Sequence, residues 1–428
     1  MTKIIKLVKG THDYLGKDIY LLNYLIKTCK NVLKKYCYNE IITPIIEQTK
    51  LFKLSIGNNT DIIDKEMYSF LDKHKNEITL RPEGTSGCIR LIIEKNLLYN
   101  NKIQKLWYFG PMFRYENTQK GRYRQFNQLG VEVIGIKSIY IEVEIILITI
   151  KIWKSIGILK NLRLEINSIG SLKDRFKYKK KLNHYLKNKK KIINKYYNKN
   201  YKKNPFRLLE SNNLYIKKIL KKAPSLYDYL NKKSLLKFKE LCKILNKFKI
   251  KFHINKNLIR GLNYYNDTVF EWKNNKINSQ STICAGGRYD NLISMLGGKN
   301  SYSFGFAIGI ERLMILIKSL KEKKVKKRLI DIEIIFLEKE AILKSINLSE
   351  KVRKIFPKLK ILVNFCNEKL KKKLSKSSKN NVKVVLIIGK NEIKNKFFTF
   401  KNLEKNKQKE YSYKKLIKKI SNTFKYKK

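Results

Sequence analysis

The residues best suited to chemistry stand close together between Leu106 and Glu132. Two runs, Leu106-Trp-Tyr-Phe-Gly-Pro-Met-Phe-Arg-Tyr-Glu116 and Arg122-Tyr-Arg-Gln-Phe-Asn-Gln-Leu-Gly-Val-Glu132, flank a polar loop from Asn117 to Gly121. Their composition predicts an antiparallel hairpin. Alternate residues of a strand share a face, so Arg122, Arg124, Phe126, Gln128, Gly130 and Glu132 are expected to point one way. Arg114 and Glu116 likewise share a side of the first strand. Guanidinium groups, an aromatic plate, an amide, a bare glycine and a carboxylate pack poorly together but bind well. The step from Gln128 to Glu132 spans roughly 13 Å at about 3.3 Å per residue, room for an extended ligand. The competing reading is an exposed polar face whose order is fortuitous.

Other chemistries find little support. The histidines are His12, His74, His184 and His253, and none stands near a Ser, Cys or carboxylate in a triad or metal-ligand pattern. Cysteines at 29, 37, 88, 242, 284 and 366 show no CxxC spacing and read as free, mostly buried thiols in a reducing compartment. Met1 to Gly10 lacks the apolar run of a signal peptide, and no later stretch reaches membrane-spanning length. A cytoplasmic protein without membrane association is expected.

Elements that would position the hairpin follow from periodicity. Residues 17–36 carry apolar positions at helical spacing and lead into Glu40-Ile-Ile-Thr-Pro44-Ile-Ile, a strand interrupted by proline. Strands and turns dominate 65–135. Residues 171–250 are helical, lysine-rich and free of glycine, which predicts an inserted helical module. From 252 to 317 glycine-rich strands resume, ending in Phe304-Gly-Phe-Ala-Ile-Gly-Ile-Glu-Arg-Leu313 and a helix. After a charged linker, Lys321 to Arg328, apolar strands at 330–337, 360–365 and 382–388 alternate with helices and predict a small α/β domain. The expected division is 1–325 for the core, 171–250 for the insertion within it, and 328–428 for the C-terminal domain.

The chain has 428 residues, with 96 Lys and Arg against 34 Asp and Glu, a formal charge of +62. Such a field favours polyanions. Lysine, asparagine and isoleucine are abundant everywhere, however, so much of this charge reads as compositional drift. It supports a polyanionic partner without identifying one.

The hairpin resembles motif 2 of the class II aminoacyl-tRNA synthetases, and its details are similar to those of the bacterial histidyl branch. Tyr36-Cys-Tyr-Asn-Glu-Ile-Ile-Thr-Pro44-Ile-Ile-Glu-Gln-Thr looks like motif 1, and the run from Phe304 to Leu313 looks like motif 3. Leu258-Ile-Arg-Gly-Leu-Asn-Tyr-Tyr265 and Ser279-Gln-Ser-Thr-Ile-Cys-Ala-Gly-Gly-Arg-Tyr-Asp290 resemble blocks specific to that branch, and Arg81-Pro-Glu-Gly-Thr85 its amino-acid loop. The resemblance implies an α+β fold, an antiparallel sheet flanked by helices with a helical insertion and a C-terminal α/β anticodon-binding domain. It also implies a homodimer formed through motif 1.

Carried over by residue, the resemblance implies ligation of histidine to tRNA(His) with ATP and Mg²⁺, and no dedicated metal cage. Arg114, Arg260 and Arg312 would be catalytic. Glu83, Gly84, Thr85, Arg114, Gln128, Glu132, Arg260, Tyr264 and Tyr265 would bind histidine, with Gly286 and Gly287 letting backbone approach it. Arg114, Glu116, Arg122, Phe126, Arg260 and Arg312 would bind ATP, and Gln119 and Lys120 would meet the tRNA acceptor end. The chain departs from the family pattern at Tyr115, Asn127, Asn263, Ser281 and Asn291. Two other readings stay open: a histidyl-synthetase-like regulatory subunit of histidine biosynthesis without ligase activity, and a nonenzymatic RNA-binding protein.

Overall fold

Leu129, Val131 and Val133 point to one side of the strand Gln125–Ile134 and join a large apolar cluster, whereas Phe126, Gln128 and Glu132 line a cleft on the other. This division by alternation organises the first of two compact units, Met1–Lys323 and Lys324–Lys428. The computed structural model describes residues 4–57, 60–189, 193–194, 205–209, 211, 213–274, 282–320 and 330–425. The expected linker, 321–328, lies outside them.

In chain order the first unit contains β1 (Asn39–Glu40), β2 (Ile46–Gln48), β3 (Tyr68–Leu71), β4 (Glu77–Leu80), β5 (Gln104–Phe113) and β6 (Gln125–Ile134). They are followed by β7 (Leu162–Ser168), β8 (His253–Ile254), β9 (Asn266–Asn274), β10 (Thr282–Arg288) and β11 (Ser303–Gly309). Eight of these strands form one sheet in the order β1-β5-β6-β11-β10-β9-β7-β8, and β2-β4-β3 form a small second sheet. The large sheet is antiparallel except at its margins, where β1 joins β5 and β8 joins β7 in parallel. Pro44 falls between β1 and β2, so the run read as one interrupted strand serves two sheets.

Helices cover the apolar face. Leu25, Cys29 and Leu33 of Lys17–Lys35 and Ile145, Ile148, Ile152 and Trp153 of Tyr140–Ile156 pack with Phe270, Phe304 and Phe306. Each such side chain contributes about 1.5–3 kcal/mol by leaving water. The helix Lys232–Lys247 buries Phe238, Leu241, Ile244 and Leu245 in this same cluster. The final helix of the expected insertion thus packs as part of the sheet's own covering layer, because its apolar spacing matches that face.

A helix not foreseen in 65–135 spans Thr85–Glu94. Its start is fixed by Glu83, whose carboxylate accepts from Thr85 N at 2.7 Å and Ser86 N at 2.9 Å, satisfying donors that an isolated helix would leave open. Cys88, Ile89 and Ile92 bury its inner side.

The second unit comprises β12 (Ile332–Phe336), β13 (Ile361–Asn364), β14 (Val384–Ile388), β15 (Phe397–Asn402) and β16 (Lys407–Ser412), ordered β13-β12-β14-β15-β16. The first three strands are parallel, as strand and helix alternation requires, and the β15–β16 hairpin adds an antiparallel edge. Among the described residues, no helix is long and apolar enough to cross a membrane.

Candidate active site

The cleft-facing sides of β6, β9, β10 and β11 form a floor that carries polar groups and small residues where the opposite side carries Leu, Val, Ile and Phe. Glu132 sits at one end, 1% exposed. Its Oε1 accepts from Thr85 Oγ1 at 2.8 Å and from the Tyr108 hydroxyl at 3.2 Å, and its Oε2 accepts from the Tyr289 hydroxyl. Burial pushes the Glu132 carboxyl up to about 8; the Tyr289 and Thr85 hydroxyls oppose the rise, and the charge of Glu83 adds to it.

Glycines make this arrangement possible. Gly130 lies directly across from Tyr108 on the paired strand, and a Cβ there would stand 2.1 Å from the tyrosine ring. A Cβ at Gly84 would meet the same ring at 2.2 Å, and one at Gly305 would lie 1.9 Å from Glu132 Oε2. Gly84 therefore makes room for Tyr108 and does not itself line the cleft. Gly286 and Gly287 also serve packing: a Cβ at either would strike a neighbouring strand, Gly305 O at 2.2 Å or Thr268 O at 2.5 Å, so they bring strands together and leave the ligand to others.

Tyr264 and Tyr265 close this end, with ring centroids 4.8 Å apart and Tyr289 at 5.7 and 6.2 Å from them. Burial raises both hydroxyls, that of Tyr265 to about 12. Gln128 brings a buried Oε1 that has no hydrogen-bond partner among the described residues. An acceptor so placed favours an incoming donor.

The other end carries guanidinium groups. Arg114 donates from Nε to Pro82 O at 2.9 Å and lies 5.4 Å from the Phe126 ring centroid. Glu116 stands 3.7 Å from Arg114 and 3.3 Å from Arg122. Arg312 donates to Gly121 O at 3.0 Å and Thr282 O at 3.1 Å. Burial, with the like charges of Arg122 and Arg114, lowers the Arg312 guanidinium. A cationic group disfavoured by burial and by its neighbours gains from any anion placed among them. Arg260 lies between the two ends, 5.5 Å from the Tyr265 ring and paired with Glu271.

The structure brings Glu83, Thr85, Arg114, Glu116, Arg122, Phe126, Gln128, Glu132, Arg260, Tyr264, Tyr265 and Arg312 around this one cleft. Arg124 departs from its expected place. The strand begins only at Gln125, and Arg124 in the loop stacks 3.7 Å from the Tyr115 ring, away from the cleft. Gln119 and Lys120 are exposed in the turn closed by Gln119 and Arg122, with Gly121 at φ +81. Asn127 turns to the far side, where its backbone and side-chain N–H groups donate to Glu311 Oε1 at 2.7 and 3.0 Å. Asn263 packs on Gly57 and does not line the cleft, and Ser281 lies outside the described residues.

Sequence reasoning gave no role to Tyr108, Tyr289, Glu271 or Lys273. For Tyr108 a signal existed: a glycine directly opposite an aromatic residue across a hairpin marks a ring lying over bare backbone.

Comparison with known proteins adds an independent finding. The family model described as "Histidyl-tRNA synthetase" matches residues 10–313, and "Anticodon binding domain" matches residues 332–423. The chain is 49% identical over 424 residues to the histidine–tRNA ligase of Buchnera aphidicola subsp. Schizaphis graminum, covering 99% of both. It is 47% identical over 425 residues to that of Buchnera aphidicola subsp. Baizongia pistaciae, covering 99% of this chain and 100% of the relative. The apo crystal structure of S. aureus histidyl-tRNA synthetase aligns with a TM-score of 0.78 at 30% identity, covering 97% of this chain and 99% of that one.

Proposed function

The chain belongs to the histidyl-tRNA synthetase family and is a class II ligase that joins histidine to tRNA at the expense of ATP, and from that premise we propose how its cleft divides the work. The observation that carries the proposal is the joining, in one cleft, of a buried acid ringed by hydroxyls to a group of guanidinium ions.

Histidine enters with its imidazole toward Glu132 and Tyr265 and its ammonium toward Gln128 and the Glu83–Thr85 segment. Neutral imidazole offers one donor and one acceptor, and a carboxyl near 8 can give or take the matching proton. An amino acid without ring nitrogens would leave these buried groups unpaired, a penalty able to reject it by about 10⁴. Adenine stacks on Phe126 and meets Glu116. Arg114 and Arg260 hold the α-phosphate from two sides, while Arg122 and Arg312 take the outer phosphates.

In the first step a histidine carboxylate oxygen attacks the α-phosphorus and pyrophosphate leaves. Two anions must meet, so dispersed, permanently charged guanidinium groups supply the main catalytic need. In the second step a terminal ribose hydroxyl of the tRNA attacks the adenylate carbonyl and AMP leaves. Mg²⁺ would come with ATP and neutralise part of the triphosphate charge.

Gln119 and Lys120 face the acceptor end of tRNA, and residues 328–428 read the anticodon. The core is taken as 1–325 with a helical insertion inside 171–250. Exposed Ile42, Ile45 and Ile46 in motif 1 support a homodimer formed there. Such an enzyme works in the cytoplasm, where its tRNA is. The regulatory-subunit reading is not favoured, because the full-length relatives are ligases and the arginine group is complete. Pyrophosphate exchange measured with each amino acid separately tests the proposal: exchange is expected with histidine alone, and its absence with histidine would refute it.

A further inference from the structure

The antiparallel register of β7 and β9 sets Glu165 directly opposite Glu271. Like charges in that relation destabilise a strand pair. Lys273, two residues along from Glu271 on the same face, relieves them: its Nζ lies 2.9 Å from Glu165 Oε2 and 3.2 Å from Glu271 Oε2. Each carboxylate has a second cation. Arg163 pairs with Glu165 on the outer side, and Arg260 pairs with Glu271 on the inner side, in the cleft. Asn255 Nδ2 donates to Glu165 at 2.8 Å, and Thr282 Oγ1 donates to Glu271 at 3.0 Å.

The run Arg163, Glu165, Lys273, Glu271, Arg260 therefore holds three cations against two carboxylates. The carboxylates are largely out of water, with side chains 3% and 10% exposed, so their compensation matters. Burial disfavours charge on both Lys273 and Glu165, and their partners outweigh it. Glu271 and Glu165 hold the ammonium above its ordinary value, while Lys273 and Asn255 hold the Glu165 carboxyl below the usual carboxylate range.

We infer that Lys273 is a positioning residue for adenylate formation: by sharing itself between Glu165 and Glu271 it makes Arg260 the surplus cation of the network. This rests on the reading of Arg260 as an α-phosphate ligand. When ATP arrives, Arg260 passes from Glu271 to the phosphate, and Glu271 stays compensated by Lys273 and Thr282. Without Lys273 the same movement would leave two facing carboxylates with Arg163 alone, and an unpaired buried charge is heavily penalised. Arg260 would then stay on Glu271.

The test is pyrophosphate exchange by the full-length chain. Lys273→Met is expected to lower kcat about tenfold, as when the competent arrangement is populated about a tenth of the time. The histidine KM should be unchanged. Adding Glu271→Gln removes the charge that retains Arg260, so the double variant should recover most of the lost rate, and Lys273→Arg should stay near the parent.

Unchanged exchange in Lys273→Met, or a loss that Glu271→Gln fails to relieve, would overturn the inference, the latter by showing a merely structural role. Should Lys273→Met fail to fold, Glu165→Gln decides: it leaves Lys273 wholly to Glu271 and is expected to keep exchange at or above the parental rate, and a fall would count against the inference. Failure of the underlying reading looks different, because Arg260→Lys would then leave exchange unaltered.

Discussion

At the end of the cleft proposed for histidine, a buried carboxyl is held by the hydroxyls of Thr85, Tyr108 and Tyr289; at the end proposed for the phosphates, Arg114, Arg122 and Arg312 crowd together with Glu116 beside them. The first end is built before any ligand arrives, since glycines at 84, 130 and 305 are what let Tyr108 and Glu132 occupy their places. The second carries mutual repulsion that an anion relieves. The difference suggests two kinds of work. A preformed cup of donors and acceptors selects a ground-state shape, whereas convergent cations respond to charge that grows during reaction. Substitutions in the cup should therefore act on the histidine KM, and those of the cations themselves on kcat.

The sharpest attempt to break this division is Arg260→Lys. A lysine keeps the charge but loses the planar donors, so kcat for pyrophosphate exchange should fall by about 10²-fold, the scale of losing one preorganised electrostatic contact. Binding of histidine and ATP should change little, and transfer from preformed adenylate to tRNA should suffer less. An effect confined to KM would dissolve the proposed contrast, and unchanged exchange would make Arg260 structural.

Glu132→Gln probes the opposite end. The amide keeps the size but cannot exchange a proton with the imidazole, which leaves one ring nitrogen without its partner at a cost of about 1–3 kcal/mol, or roughly 10- to 100-fold in histidine KM. The ATP KM should move by less than about twofold if the sites are separate. Equal effects on both would remove Glu132 from the histidine cup.

The same substitution has a pH signature. A carboxyl ordinarily at 4.5 and raised to about 8 keeps a proton in the folded chain that the unfolded chain has lost, so this group makes stability fall as pH rises between those values and level off above. Glu132→Gln cannot titrate. Thermal melts from pH 5 to 8 should show Tm declining more steeply in the parent than in the variant, and parallel slopes would refute the raised carboxyl.

Much of this contrast was legible in the sequence where strand alternation applies, and little of it elsewhere. Phe126, Gln128 and Glu132 share a face because β6 is regular from Gln125 onward; Arg124 left that face because it precedes the strand. Tyr108 stands in an apolar run and Tyr289 between Arg288 and Asp290, and both rings are buried in the core. Their hydroxyls gain a role only through Glu132, 24 and 157 residues away. Glu271 and Lys273 stayed hidden because the pairing of β7 with β9 spans more than a hundred residues and leaves no local signal. The helix at Thr85–Glu94 opens on Thr-Ser-Gly, residues of low helix propensity, and forms because Glu83 caps it and Cys88, Ile89 and Ile92 bury its inner face. In the second unit, β16 escaped notice because Lys407–Ser412 is almost wholly exposed and lacks an apolar alternation.

The smallest expected effect tests whether the phosphate end is also braced from behind. The Tyr14 hydroxyl donates to Glu311 Oε1 at 2.6 Å, and the same oxygen accepts from Asn127 N at 2.7 Å and Asn127 Nδ2 at 3.0 Å. Glu311 adjoins Arg312, and Asn127 adjoins both Phe126 and Gln128, so this carboxylate ties the strand that carries Phe126 to the helix that carries Arg312. His12 sits between the rings of Tyr14 and Tyr123, 4.6 Å from each, and Tyr123 lines the cleft. Removing one of three donors costs the net worth of a single hydrogen bond, about 0.5–1.5 kcal/mol, because Glu311 keeps the other two. Tyr14→Phe should therefore raise the ATP KM by roughly 2- to 10-fold. Histidine KM should stay put, since no part of this bridge touches Glu132 or its hydroxyls. Binding constants for the two substrates, measured separately on the same variant, decide the matter: a shift in histidine affinity as large as that for ATP would mean that the two ends of the cleft are mechanically one.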